Sequence, residues 1–314
     1  MLQKAVAFPL EAVASPLEYQ ANRNSAIDLA RLFGAFGIVW FHAKAPGSSI
    51  GYSALQLFMT LTILFSAKTG IDITYRQFLL SRFTRLIVPW LAWSVIFGAA
   101  KIIDSYYHNI PFEEEFMFWM FLTGPAIHLW FLPYVFCLSL LFLFLDKQRD
   151  KLNYSRGIIP IFVTTNVFFI YILNTYEFSI PFAQWLYVFP AAFLGWAMHL
   201  NRNSTKGFYL LSLSIIAPCG AYIFLDMPLL AEQFLIGGLL SIIVTKWRWK
   251  EYKFISKLSS YSLGIYLIHP PIFSVLQRTM SLEQSAITLA ILGISLSITI
   301  CLVLSNTKIR KILF

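Results

Sequence analysis

Ionisable side chains lying inside long apolar runs are the features of this sequence best suited to chemistry. Three of them, Asp28, Arg31 and His42, share one run. A charge at bilayer depth costs about 2.5–3.5 kcal/mol on insertion scales, so each needs a partner or a task. At ~100° and ~1.5 Å per residue, a helix puts Arg31 and His42 within ~20° of each other and ~16 Å apart, with Asp28 ~40° to the other side. A single polar stripe results. Taken alone, Asp28 and Arg31 also read as an i, i+3 ion pair, and His42 as an interfacial histidine near a helix end.

Three further groups join them. His269 stands in Gly264-Ile265-Tyr266-Leu267-Ile268-His269-Pro270-Pro271. The two prolines should break or kink the helix and free carbonyls beside the histidine, either lining a cavity or simply kinking a packing helix. His128-Leu129-Trp130-Phe131-Leu132-Pro133 opens another apolar run, where an interfacial aromatic belt is the plainer reading. Arg82-Phe83-Thr84-Arg85, ahead of Pro89, makes a cationic helix face. It is either positive-inside anchoring or a site for phosphate groups, which paired guanidinium forks suit. The remaining histidines, His108 and His199, are expected in an outer loop and in solvent at a helix end, and no pair of histidines has metal-ligand spacing.

The elements that must carry these groups are membrane helices. Of 314 residues, 58% are hydrophobic and 12% charged, about half the usual charged fraction. Mean hydropathy is +0.68. The expected fold is an all-α bundle of about ten transmembrane helices near 26–45, 52–67, 83–103, 129–145, 158–174, 182–200, 208–225, 229–245, 260–277 and 285–304. A piece at 116–122 reads as re-entrant or interfacial. Residues 1–25 form an N-terminal segment without the apolar core of a signal peptide, 26–305 the membrane domain, and 306–314 a basic tail.

Loop charges orient the bundle. With the N-terminus cytoplasmic, the inner segments hold twenty of the 24 Lys and Arg residues, while Lys44, Lys101 and Arg278 lie outside. The positive-inside rule therefore puts both termini in the cytoplasm. A net charge of +9 would suggest nucleic acid for a soluble chain. Here its distribution accounts for it, and membrane lipids rather than nucleic acid are the expected surroundings. Cys137, Cys219 and Cys301 lie in apolar runs without metal or CxxC spacing and read as packing residues.

Taken in order, these motifs resemble the acyltransferase-3 family of membrane O-acyltransferases. The resemblance rests on Ile27-Asp28 with Arg31-x10-His42, on Arg82-x-x-Arg85 before Pro89, on the His128 run, and on Leu263-Gly-Ile-Tyr-Leu-Ile-His269-Pro, and it spans roughly 23–305. One departure stands out. The family's Phe-Phe-x-x-Ser-Gly-Phe-like run on the second helix is replaced by Leu57-Phe58-Met59-Thr60-Leu61-Thr62-Ile63-Leu64, so local helix packing must differ.

The resemblance implies an enzyme of the bacterial inner (cytoplasmic) membrane. It would move an acyl group, acetyl or succinyl, from cytoplasmic acyl-CoA such as acetyl-CoA to a hydroxyl of a carbohydrate acceptor. It implies catalytic roles for His42, Arg31 and Asp28, CoA binding by Arg82 and Arg85, and substrate binding by His128, Trp130, Tyr266 and His269. No permanently bound cofactor or metal is implied. His42 would draw the proton from the acceptor hydroxyl or carry the acyl group. Asp28 is too distant for His42 on a straight helix and is expected to pair with Arg31 or a neighbouring helix. The rival classes are a transporter and a non-catalytic component of polysaccharide export. Sequence leaves the acceptor, the acyl group and the oligomeric state open.

Overall fold

The computed structural model describes residues 24–71, 73–148, 157–279 and 285–314. The inner-loop cations Lys4, Arg23, Arg149, Lys151 and Arg156 lie outside the described residues. Among those described there is no strand, as expected of an all-α chain.

A helix stands at each of the ten apolar segments. In chain order they are α1 (Ser25–His42), α2 (Ser53–Ile71), α3 (Tyr75–Arg82) continuing through a π-turn into α4 (Val88–His108), α5 (Phe131–Lys147), α6 (Ile158–Thr175), α7 (Phe182–Leu200), α8 (Thr205–Ser214) with α9 (Ile216–Phe224), α10 (Pro228–Lys246), then α11 (Lys253–Ser259) leading to α12 (Ser262–Thr279), and α13 (Ala286–Leu304). The third run is longer than its apolar core. It begins at a capping box, where the Thr74 side chain accepts from the Gln77 backbone and Gln77 reaches back to Thr74. The seventh run is interrupted at Ile215, because Pro218 has no N–H for the Ser214 carbonyl.

Contacts at the two ends show that the passes alternate in direction. At one end, Asn24 donates to the Val244 carbonyl at 3.2 Å and the Trp247 carbonyl at 2.9 Å, tying the start of α1 to the end of α10. There too His199 at the end of α7 lies 3.6 Å from Asp146 at the end of α5. Lys246 closing α10 lies 3.9 Å over the ring of Phe208 in α8. At the opposite end, His42 meets His269, and Tyr52 stacks on Tyr187.

Seven helical runs are long and apolar enough to cross a membrane: Ser48–Gly70, Tyr75–His108, Ile127–Lys147, Ile158–Thr175, Thr205–Phe224, Pro228–Lys246 and Ala286–Leu304. The other three are α1, α7 and α12, which carry the buried ionisable residues Asp28, His199 and His269. In α7 every residue from Tyr187 to His199 except Phe189 is buried. A helix surrounded by protein need not be apolar all round.

The centre is the pairing of α2 with α7. Thr60 donates to the Ala191 carbonyl at 3.0 Å and Gln56 to the Tyr187 carbonyl at 3.2 Å. A Cβ at Gly195 of α7 would clash with the Thr60 carbonyl oxygen, and one at Gly237 of α10 would stand 2.7 Å from that of Ser53. The close approach that a Ser-Gly step on α2 would allow is thus supplied by glycines on its partners.

Two expectations are corrected. His199 is not in solvent: it is fully buried between Asp146 and Arg202, whose guanidinium donates to the His199 carbonyl at 2.9 Å. Cys137 is not a packing residue; it is exposed, whereas Cys219 and Cys301 are buried, and all three are free thiols. His108 ends α4 and is exposed.

Candidate active site: three histidines at one end of the bundle

Three separate elements each bring one histidine to the same place. His42 is the last residue of α1. His269 lies in mid-α12. His128 rides on a 3-10 turn, Ile127–Trp130, that runs into α5. The ring centroids of His42 and His269 are 5.1 Å apart, and those of His128 and His269 are 6.1 Å apart. His42 is exposed, while His128 and His269 are buried.

The tandem prolines explain the two buried rings. Helix α12 stays continuous through Pro270 and Pro271, but these residues have no N–H for the carbonyls of Tyr266 and Leu267. His269 Nδ1 lies 2.7 Å from the Tyr266 oxygen and 3.3 Å from that of Ile265. Carbonyls only accept, so Nδ1 carries the hydrogen and Nε2 keeps a bare lone pair. The ring of His128 makes a backbone hydrogen bond at Leu267. The Nε2 atoms of both His128 and His269 are buried without a hydrogen-bond partner. A buried unmade bond costs about 1–3 kcal/mol, which a bound donor would recover. Tyr266 fixes the assembly from within, its hydroxyl donating to the His128 carbonyl.

The 3-10 turn is delivered by a piece of chain that doubles back along α4. Glu115 pairs with Lys101 of α4 at 2.7 Å, yet the Thr123 carbonyl accepts from Trp90 Nε1 at 2.9 Å. Eight residues of loop therefore return along α4 past eleven residues, ~16 Å of helix. Gly124 permits the approach: its φ is +89°, and a Cβ there would meet Ser94 Oγ at 2.8 Å. Phe118 and Phe121, 84% and 77% exposed, face away from the protein along this stretch.

The other residues singled out by sequence are distributed as follows. Trp130 is buried, 6.1 Å from the ring of Tyr134, which stacks on Trp185 at 5.0 Å; it flanks the histidines through Phe131, whose ring lies 5.7 Å from Tyr266. Asp28 is ~21 Å along α1 from His42. It accepts from Ser256 at 2.8 Å and Ser259 at 3.1 Å, and so ties α1 to a neighbouring helix, α11. Arg31 is exposed, between these two levels. The Arg82 guanidinium lies 5.0 Å over the ring of Phe78, and Arg85 is exposed on the π-turn Phe83–Ile87. That turn has a simple origin. Pro89 cannot donate to the Arg85 carbonyl, and the Val88 N–H instead reaches back five residues to Phe83. Among the described residues no group of three His, Cys, Asp or Glu is placed to hold a metal ion.

Several residues of the site escaped the sequence reading. Tyr52 stacks between Phe41, at 4.1 Å, and Tyr187, at 5.5 Å. The Tyr187 hydroxyl donates to Gln233 Oε1 at 2.6 Å, and Gln233 donates to the Ser49 carbonyl at 3.1 Å. At the other end, Asn24 caps α1 through Ala26 and also accepts from the Trp249 N–H at 3.1 Å. For Tyr52, Tyr187 and Gln233 the sequence signal is an uncharged polar or phenolic residue inside an apolar run, and for Asn24 it is a capping residue just ahead of one.

No curated protein and no solved structure matches the chain. A family model does: the acyltransferase domain, over residues 24–306, which takes in every motif above. With nearly the whole bundle covered and the histidines of three of its motifs gathered at one end, the chain belongs to the acyltransferase-3 family.

Proposed function

We propose that this protein is a membrane O-acyltransferase that moves an acyl group, acetyl first and succinyl second, from cytoplasmic acyl-CoA to a hydroxyl of a cell-surface or exported carbohydrate. The observation that carries the reading is the convergence of His42, His128 and His269, two of them with bare, buried Nε2 acceptors. Hydroxyl-rich acceptors supply the donors such atoms lack. His42 is the exposed member and the one open to substrate. It takes the proton as the acceptor oxygen attacks the thioester carbonyl, and returns it to the departing thiolate. Arg82 and Arg85, at the Asn24 end, hold the CoA phosphates, and Arg31 lies between them and the histidines in depth. All ten passes cross a bacterial cytoplasmic membrane in this reading, with both termini inside, as the loop charges require.

The test compares O-acyl groups on surface glycans, by NMR and mass spectrometry, in wild type, a deletion strain, and a deletion strain expressing His42→Ala. Loss of one acyl signal in both mutant strains is expected, and that signal names the group and acceptor. A signal restored by His42→Ala would remove the histidine from the chemistry. Unchanged acylation with altered glycan export would point to transport instead.

A further inference from the structure

Acyl transfer needs donors as well as a base, because negative charge develops on the thioester carbonyl oxygen. The histidine cluster is poor in them. His269 has committed its N–H to the Tyr266 carbonyl, and His128 is bonded to the backbone at Leu267, so both offer acceptors. The nearby phenols are also engaged: Tyr266 donates to the His128 carbonyl, Tyr187 to Gln233, and Tyr134 to the Trp185 carbonyl at 2.8 Å. Tyr52 differs. Among the described residues its hydroxyl makes no hydrogen bond, and the residue is half-buried rather than fully exposed.

Its ring is nevertheless held firmly. Phe41, whose ring lies 5.3 Å from that of His42, stacks on one face and Tyr187 on the other. The Tyr52 N–H donates to the Ser48 carbonyl at 3.0 Å, and the adjacent Ser49 carbonyl is pinned by Gln233. The Tyr52 phenol is also close enough to interact electrostatically with Tyr266, whose ring lies 6.0 Å from that of His128 and 6.1 Å from that of His269. A ring fixed between two stacked neighbours, one of them in contact with the base, and bearing an uncommitted O–H is what a preorganised donor requires.

Building on the acyl-transfer reading above, we propose that the Tyr52 hydroxyl is the oxyanion donor of this site. The acceptor oxygen forms its bond to the thioester carbon, and the carbonyl π pair moves onto oxygen. Tyr52 donates a hydrogen bond to that oxygen while His42 holds the hydroxyl proton. When the carbon–sulfur bond breaks, the carbonyl re-forms, the thiolate leaves with its electron pair, and His42 returns the proton to it. Tyr52 loses no proton at any step.

Membrane vesicles containing the endogenous acceptor glycan, the full-length protein and radiolabelled acetyl-CoA or succinyl-CoA provide the test, with rates normalised to protein amount. Tyr52→Phe keeps both ring stacks and removes one O–H. It should lower the maximal rate roughly 100-fold or more. The KM for the CoA ester should stay within about threefold of wild type, since the lost bond belongs to the transition state. A maximal rate within about threefold of wild type, or a loss confined to KM, would overturn the assignment. Activity in wild type that His42→Ala abolishes and Tyr52→Phe keeps defeats this proposal alone; no incorporation by wild type defeats the acyl-transfer reading with it. Should Tyr52→Phe not accumulate, fluorinated tyrosines at position 52 take its place, and a maximal rate indifferent to phenol acidity overturns the assignment.

Discussion

At the scale of single residues, the site is a matter of which polar atoms are satisfied and which are not. His269 has one nitrogen bound to a carbonyl that Pro270 released and the other bare. Replacing it with Asn keeps a donor near Nδ1 and deletes Nε2, so acyl transfer should fall by roughly 5- to 150-fold while the fold survives. Replacing it with Leu also strands the Tyr266 carbonyl and should lower stability by about 1–3 kcal/mol, read by thermal unfolding in detergent. Equal unfolding midpoints for the two variants would contradict this account of Nδ1. Asp28 gives a complementary case. Its carboxylate accepts from two buried serine hydroxyls, so Asp28→Ala should cost about 1.5–3 kcal/mol per lost charged bond at most. The double variant Ser256→Ala with Ser259→Ala should mimic it, which a direct role for Asp28 in the chemistry would not predict. Sequence periodicity places Asp28, Arg31 and His42 on one stripe. It does not pair Asp28 with residues 228 and 231 positions away, because no local spacing encodes a contact between distant helices.

At the scale of elements, prolines decide where the helices change character, although only Pro89 and the tandem Pro270 and Pro271 stand out in the sequence motifs. Pro89 yields a π-turn, Pro218 an interrupted run, and Pro270 with Pro271 two released carbonyls inside a helix that stays continuous. Of the break or kink expected at the tandem prolines, a break is absent, and histidine side chains bond to the carbonyls that the prolines release. The glycine exchange between α2 and its partners was equally hidden. The missing Ser-Gly on α2 announces a difference, but only the assembled bundle shows Gly195 and Gly237 filling that role. The π-turn invites a test. Pro89→Ala restores an N–H for the Arg85 carbonyl and should return the segment to α-helix, rotating Arg82 and Arg85 relative to one another. If these arginines hold CoA, the KM for acyl-CoA should rise roughly tenfold, and the rate at saturating donor should change little. A fall in the saturated rate with KM unchanged would separate the two arginines from donor binding.

For the whole molecule, the question is how ten helical runs relate to a bilayer when seven satisfy length and composition. The three that fall short are the helices that carry His42 and His269 and the most enclosed helix of the bundle. Interior position dilutes apolarity, because a helix enclosed by protein need not be apolar all round. Antiparallel alternation supplies an independent measure. Asn24 with Val244, Asp146 with His199, and Phe208 with Lys246 share one end; His42, His128, His269, Tyr52 and Tyr187 share the other. An even number of passes puts residues 24 and 310 on the same side, and an odd number puts them on opposite sides. In a variant lacking Cys137, Cys219 and Cys301, single cysteines introduced at Lys206 and Lys308 should be labelled by an impermeant maleimide only after the cytoplasmic face is opened. Cysteines at Lys44 and Asp226 should be labelled in intact cells with the outer membrane permeabilised. Labelling of Lys308→Cys from outside would reject the even count and, with it, an Asn24 end that meets cytoplasmic acyl-CoA.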